Sequence, residues 1–250
     1  MLLALISDIH ANIQGLDACL AHARTKGAEQ FALLGDLVGY GADPVAVVQR
    51  AQELASRGAL LIKGNHDEMA VRPPAQATTL GDSTAAWTHA QLSAEQRQFL
   101  DALPMTQQNG TMLLVHASAY EPATWPYVYE EEAAIECLAA AALLPDVRQV
   151  FVGHVHNQTL YSTALEAPLT THRVVPGKAV TLSPQKHWVA TIGSAGQPRD
   201  GNPKAMYALF DTDSCKLTFQ RVAYNHAQAA AAIRAAGLPD WLAQRLEAGR

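Results

Sequence analysis

Metal-type donors stand at the ends of five short apolar runs in this 250-residue chain. LLALIS runs into Asp8 and His10, and FALLG into Asp36. ALLIKG runs into Asn65, His66 and Asp67, TMLLV into His116, and VFVG into His154 and His156. In layered α/β folds, ligands bind beyond the carboxyl ends of strands. Each piece alone has a plainer account. Asp8 could cap a helix, Asp36 and Gly39 could be turn residues, and Gly153–His156 could be an edge strand with outward imidazoles. Coincidence at five strand ends argues instead for one shared polar site. The other histidines (His22, His89, His172, His187 and His226) lack that setting and read as ordinary surface or half-buried residues.

The elements that must position these groups follow from periodicity. Residues 2–7 read as a buried strand, and 12–27 as a helix with Ile13, Leu16, Leu20 and Ala23 on one face. A second strand precedes DLVGYGADP, where Asp43 and Pro44 open another helix. ALLI at 59–62 is a third strand, so the order strand–helix–strand–helix–strand predicts parallel pairing. Ser93 and Gln96 form a capping-box pattern. Asn109-Gly110 marks a hairpin, a helix fits 131–142, and QVFVGHVH is a further strand. From 159 to 221 short runs (TLYST, HRVV, AVTL, HWVATIG, AMYALFD and KLTFQRV) predict a second, mainly antiparallel sheet. Residues 226–248 read as two short helices split at Gly237-Leu238-Pro239. No linker divides the chain, and residues 1–250 read as one domain with those helices appended.

Composition narrows the function. Hydrophobic residues are 49% and charged residues 16%, which places the chain among compact globular proteins. A formal net charge of −5 argues against non-specific nucleic-acid binding, which selects Lys/Arg surfaces. No apolar run reaches membrane-spanning length. The first residues lack the basic segment of a signal peptide. Cys19, Cys137 and Cys215 are odd in number and scattered, which fits a reducing cytoplasm and disfavours a thiolate metal site.

The pattern D-x-H, G-D, G-N-H-D, H, G-H-x-H across residues 8–156 resembles the calcineurin-like metallophosphoesterase superfamily. The stretch GSAGQPRDGNPKAMYALFD resembles its small prokaryotic branch. The resemblance implies a four-layer αββα sandwich, two mixed sheets flanked by helices. It implies two divalent metal ions, one held by Asp8, His10, Asp36 and His156, the other by Asp36, Asn65, His116 and His154, with Asp36 bridging. The mixed N and O ligands admit Mn, Fe, Zn, Co or Ni. Such a pair hydrolyses phosphate esters with a metal-activated hydroxide. His66 is then the expected proton donor to the leaving oxygen, with Asp67 orienting it.

One departure from the family bears on substrate. Its phosphoprotein phosphatases carry G-D-x-V-D-R-G, whose arginine grips phosphate, whereas this chain has GDLVGYG. Arg199, in GQPRDG, is a candidate replacement, and Asn12 either reaches phosphate or caps the first helix. The expected substrate is a small phosphodiester or a nucleoside polyphosphate. The loop YEPATWPYVY offers Tyr120, Trp125, Tyr127 and Tyr129 for stacking on a base, or for packing the loop onto the body. The alternatives are a phosphomonoesterase or protein phosphatase of the same superfamily, and a non-catalytic scaffold with this fold.

Overall fold

The computed structural model describes residues 1–164 and 167–250. Strands β1 (Leu2–Ile6), β2 (Gln30–Leu34) and β3 (Leu60–Ile62) alternate with helices α1 (Ile13–Thr25) and α2 (Pro44–Ser56). β1 pairs parallel with β2, and β2 with β3. Helices α3 (Asn65–Val71), α4 (Leu80–Gln91) and α5 (Ala94–Asp101) follow. Next come β4 (Thr106–Asn109), β5 (Met112–Val115), α6 (Glu131–Ala141) and β6 (Gln149–Val152). The β-rich stretch is β7 (Gln158–Thr163), β8 (Thr170–Thr171), β9 (Ala179–Thr181), β10 (His187–Ile192), β11 (Ala205–Asp211) and β12 (Lys216–Val222). Helices α7 (His226–Ala235) and α8 (Asp240–Ala248) close the chain.

Two six-stranded mixed sheets result, ordered β3-β2-β1-β11-β12-β9 and β4-β5-β6-β10-β7-β8. The alternation of β1 explains how they stack. Leu3 and Leu5 join Ala32, Leu34, Phe151, Phe210 and Phe219 in a core between the sheets. Ala4 and Ile6 point the other way, into a core with Leu16 and Leu20 of α1 and Val47 and Val48 of α2. On the far side, Cys137 and Leu138 of α6 pack on Val150, Val152 and Val189. Successive side chains of a strand face opposite sides, so a strand buried on both faces reads as a continuous apolar run. This is the expected αββα sandwich.

Two expectations need correction. The β-like runs after residue 159 do not form a sheet of their own. β7, β8 and β10 complete one sheet, while β9, β11 and β12 complete the other. β10 lies parallel to β6, and only the remaining pairs made by these strands are antiparallel. Strand propensity reports a half-buried pleated surface; it carries no information on which sheet a strand joins. HRVV is not a strand: β8 ends at Thr171, and His172 instead bonds Ser162 Oγ through its Nε2 at 2.8 Å. The hairpin forms with Asn109 paired to Met112, which puts Gly110 and Thr111 in the turn.

Candidate functional site

All five apolar runs deliver their polar residues to one place. β1, β2 and β3 run parallel in one sheet, and β5 and β6 in the other. Asp8 (φ 52°), His10 (φ 49°), Asp36 (φ 51°), His154 (φ 64°) and His156 (φ 64°) are all left-handed. Non-glycine residues held there cost of order 1–3 kcal/mol each and persist only where surroundings over-determine them. The surroundings do so here. The N–H groups of Ile9 and His10 both donate to the Asp36 carbonyl at 2.9 Å, and Gly153 N–H donates to the His116 carbonyl at 2.8 Å. His154 N–H donates to both Asp8 oxygens, at 3.1 and 2.9 Å. A Cβ on Gly64 would lie 2.2 Å from the Asp36 amide nitrogen and Oδ1, so only glycine lets β3 close on the Asp36 loop.

The donor atoms form two buried groups joined by one carboxylate. Asp8, His10 and His156 place donors within 4.8 Å of one another, as do Asp36, His116 and His154. Asp36 Oδ2 lies 3.7 Å from His10 Nε2 and 3.3 Å from His116 Nε2, so it faces both groups. Asn65 Oδ1 sits 3.2 Å from His116 Nε2. His66 joins a third overlapping group with His10 and Asp36.

These residues fit a bound cation. His10, His116 and His156 each point Nδ1 at a backbone carbonyl, of Val38 (3.3 Å), Leu34 (2.7 Å) and Gln197 (2.6 Å). A carbonyl only accepts, so each Nδ1–H donates and each Nε2 is turned inward, where it can bind a metal once it carries no proton, as in metal-binding histidines. His154 Nε2 is buried with no hydrogen-bond partner. A buried nitrogen left so costs about 1–3 kcal/mol, which coordination would recover.

The electrostatic surroundings carry the same demand for positive charge. Burial works against the Asp36 carboxylate, yet the charges of His116, His66 and His10 outweigh it and hold its pKa well below the usual range. Burial likewise opposes charge on His116, but the Asp36 and Asp8 carboxylates raise its pKa to about 9. Burial pushes Asp8 up to about 7. Burial and the neighbouring His116 lower His154 to about 3.

His66 sits beside the shared carboxylate. Its backbone N–H donates to Asp36 Oδ1 at 2.8 Å, and its ring packs against Tyr40 (centroids 4.4 Å) and edge-on to His10 (5.0 Å). A Cβ on Gly39 would lie 2.6 Å from His66 Nδ1, so the glycine of GDLVGYG makes room for this ring. Burial lowers the His66 pKa against the pull of Asp36. A phosphate arriving beside it would raise that pKa.

Two expected roles are corrected by geometry. Asp67 does not orient His66. Its Oδ1 accepts from the N–H groups of Leu37 (2.8 Å) and Val38 (3.2 Å), and its Oδ2 from Gly64 N–H (2.9 Å). It stitches the Asp36 loop to the start of α3. Asn12 is the N-cap of α1, and its Oδ1 accepts from Gly15 N–H at 2.9 Å. Its Nδ2 donates to the Gly196 carbonyl (2.8 Å) and Tyr224 hydroxyl (3.1 Å), which leaves nothing to offer a phosphate.

Arg199 is at the site's edge, its guanidinium 5.8 Å from the centre of the Tyr40 ring and bonded to Gln197 Oε1 at 2.7 Å. The aromatic loop also reaches the site. Tyr127 stacks on His154 (centroids 3.9 Å, planes 20° apart), while Trp125 stands edge-on to His116 at 5.9 Å. Gln197 was missed by sequence reasoning, although it holds both His156 and Arg199. Its only sequence signal was its place two residues before Arg199 in a glycine-rich turn.

A calcineurin-like phosphoesterase superfamily domain matches residues 1–215. The chain belongs to that superfamily, a family of phosphoric ester hydrolases. It is 34% identical to a metallophosphoesterase from Sphaerobacter thermophilus of known structure, with 100% of both chains covered and a TM-score of 0.85. It is 32% identical to an uncharacterized protein of Methanocaldococcus jannaschii over 259 residues, covering 100% of this chain and 98% of the relative. A hypothetical protein from Pyrococcus horikoshii OT3 shares the fold at 19% identity and a TM-score of 0.76, with 100% and 98% of the two chains covered. Among the described residues no helix is long and apolar enough to cross a membrane.

Proposed function

We propose that this chain is a dinuclear-metal hydrolase of small phosphodiesters or nucleoside polyphosphates. The observation that carries the reading is the single Asp36 oxygen facing two buried donor groups. Asp8, His10 and His156 would hold one divalent ion, Asn65, His116 and His154 the other, and Asp36 both. The donors are nitrogen and oxygen without sulfur, which suits Mn, Fe, Zn, Co or Ni. When bound, such a pair supplies an acidified water and a cationic clamp for the phosphoryl oxygens.

The chain's own residues do the rest. His66, braced by Tyr40 and Gly39, gives a proton to the leaving oxygen. Arg199 draws the anionic substrate from the Tyr40 side. Tyr127, stacked on His154 and 58% exposed, leaves an outer face for a base. Tyr40 occupies the position that carries the phosphate-gripping arginine in protein phosphatases, which disfavours a phosphoprotein substrate. The net charge of −5 weighs against nucleic acid, and three scattered free cysteines suit a reducing cytoplasm. Residues 1–250 work as one domain in this reading, with α7 and α8 packed over Tyr40.

Metal analysis of the purified protein tests this, together with a screen of phosphomonoesters, phosphodiesters and dinucleoside polyphosphates. Hydrolysis of diesters or polyphosphates with about two metals per chain is expected. A metal-replete protein active on monoesters alone would overturn the substrate class.

A further inference from the structure

The two outer layers of helix differ in what they show to solvent. On the first sheet, α2 buries Val47, Val48, Ala51 and Leu54 and exposes Gln49, Glu53 and Ser56, spaced i, i+4, i+7. On the second sheet, α6 packs Ala134, Cys137, Leu138 and Ala141 against β5, β6 and β10. Its opposite face repeats the i, i+4, i+7 spacing with Ile135, Ala139 and Ala142, all exposed, and Leu143 continues it. Ile135 is 51% exposed and Leu143 86%; with Leu144 they are the exposed Ile and Leu side chains among the described residues. A surface helix turns one apolar stripe to its core and polar residues to water. α6 carries two apolar stripes, and one of them has no cover.

Beside the outer stripe a groove of about 360 Å³ opens between α6 and the stretch joining β7 to β8, lined by Ile135, Ala139, Ala142, Thr163, Pro168 and Leu169. Ile135 and Leu143 each stand four residues from Ala139, so the stripe reads alike in both directions. Charge along the same face does not. The first turn of α6 carries Glu131 and Glu132, and Glu136 follows one turn later. The far end is basic. Trp188 pairs with Gln149, and its N–H donates to the Arg148 carbonyl at 2.8 Å, so His187 and Arg148 are neighbours on adjoining strand starts. Strand alternation turns both toward the side of Val150 and Val189, which is the side that α6 covers. His187 lines the groove together with Ala142. Lys186 adjoins His187, and Asp146 is the one carboxylate in the turn between α6 and β6.

We propose that this face binds a second copy of the chain, with the two α6 helices antiparallel about a two-fold axis through Ala139. In a two-fold interface the same patch serves both subunits. An axis perpendicular to α6 reverses the helix, so the acidic start of one meets Arg148 and His187 of the other, and Ile135 of one meets Leu143 of the other. The alanine at the axis lets the two helices approach closely, and Leu143 of each enters the groove of the other. A parallel arrangement would set acid on acid and base on base. The partner is a second copy because the face complements itself, in apolar shape and in charge. This inference is independent of the chemistry proposed above.

The test is the mass of the purified full chain in solution, measured by sedimentation equilibrium. Twice the chain mass is expected, with a Kd of about 1 μM or tighter. Ala139→Glu sets two like charges across the axis and should give monomers. Leu143→Asp should do the same with an unchanged Tm, because that side chain is too exposed to serve the monomer's own core. Glu132→Arg alone and Arg148→Glu alone should each raise the Kd about tenfold or more, through like charges brought together. The two changes combined should restore association, because the two-fold pairs each acidic end with a basic one. A monomeric wild type overturns the proposal, as does a dimer that Leu143→Asp leaves unweakened. Failure of the double reversal to restore association overturns the antiparallel arrangement. A lowered Tm in Ala139→Glu would mark damage to the fold, and Leu143→Asp then decides.

Discussion

His10 Nε2 and His156 Nε2 face each other at 3.0 Å, and the Nδ1 of each already meets a backbone carbonyl. Two inward lone pairs at that distance repel unless positive charge lies between them. Asp8 Oδ1 completes the group, 3.3 Å from His156 Nε2 and 3.8 Å from His10 Nε2. That arrangement suits a cation held between the two nitrogens.

Asp36 should govern both donor groups at once. Asp36→Asn is expected to lower the content of both metals together and to remove hydrolysis. Elemental analysis of the folded variant is the check. Two metals at full occupancy would refute the bridge.

His66 should act on the leaving group and not on metal retention. His66→Gln is expected to keep metal content and to lose roughly a hundred- to ten-thousand-fold in kcat on esters with poor leaving groups. With p-nitrophenol as the leaving group, which needs little protonation, the loss should shrink. An equal loss across leaving groups, or loss of metal, counts against proton donation.

Asp67 should matter through the loops it stitches. Asp67→Asn keeps the shape but replaces one acceptor oxygen with a donor, which strands one buried N–H among Leu37, Val38 and Gly64. A cost of about 1–3 kcal/mol is expected, seen as a lower Tm, with weaker metal affinity because Asp36 precedes Leu37 directly. Unchanged Tm and metal affinity would show that the stitch is dispensable.

The metal-free protein should lose stability as pH rises. Burial raises the folded pKa of Asp8 to about 7, while the Asp36 and Asp8 carboxylates, against burial, raise that of His116 to about 9. A raised folded pKa contributes stability below the unfolded value, lost as pH climbs through the folded one. Chelator-treated protein should therefore melt at progressively lower temperature from about pH 6 to pH 9. Divalent metal, replacing the protons, should bind more tightly over the same range. A flat apparent metal affinity from pH 6 to 9 would contradict this linkage.

Base stacking should reside in Tyr127 more than in Trp125. Tyr127→Ala is expected to lower kcat/KM for a dinucleoside polyphosphate by a factor matching about 1–3 kcal/mol, with a smaller effect on an aryl phosphodiester. Trp125→Ala should act mainly through the packing of its loop against His116. Equal losses on both substrates in Tyr127→Ala would mean that the loop only packs.

The donor set was legible in the sequence because each donor follows an apolar run directly. A strand buried on both faces has to emerge at its carboxyl end, and the first polar residues there are confined to the site. Asp8, Asp36, Asn65, His116 and His154 could thus be found from local pattern alone, as could the parallel β1–β2–β3 unit and the two closing helices. What tertiary structure decided was everything between residues distant in the chain. The runs after residue 159 divide between two sheets because pairing depends on which edge is free, and strand composition carries no record of that. Asn12 and Asp67 lie beside the site in sequence, yet their polar atoms are consumed by backbone partners that only the folded loops bring near. Gln197 became visible only in three dimensions, where its carbonyl holds His156 from 41 residues away.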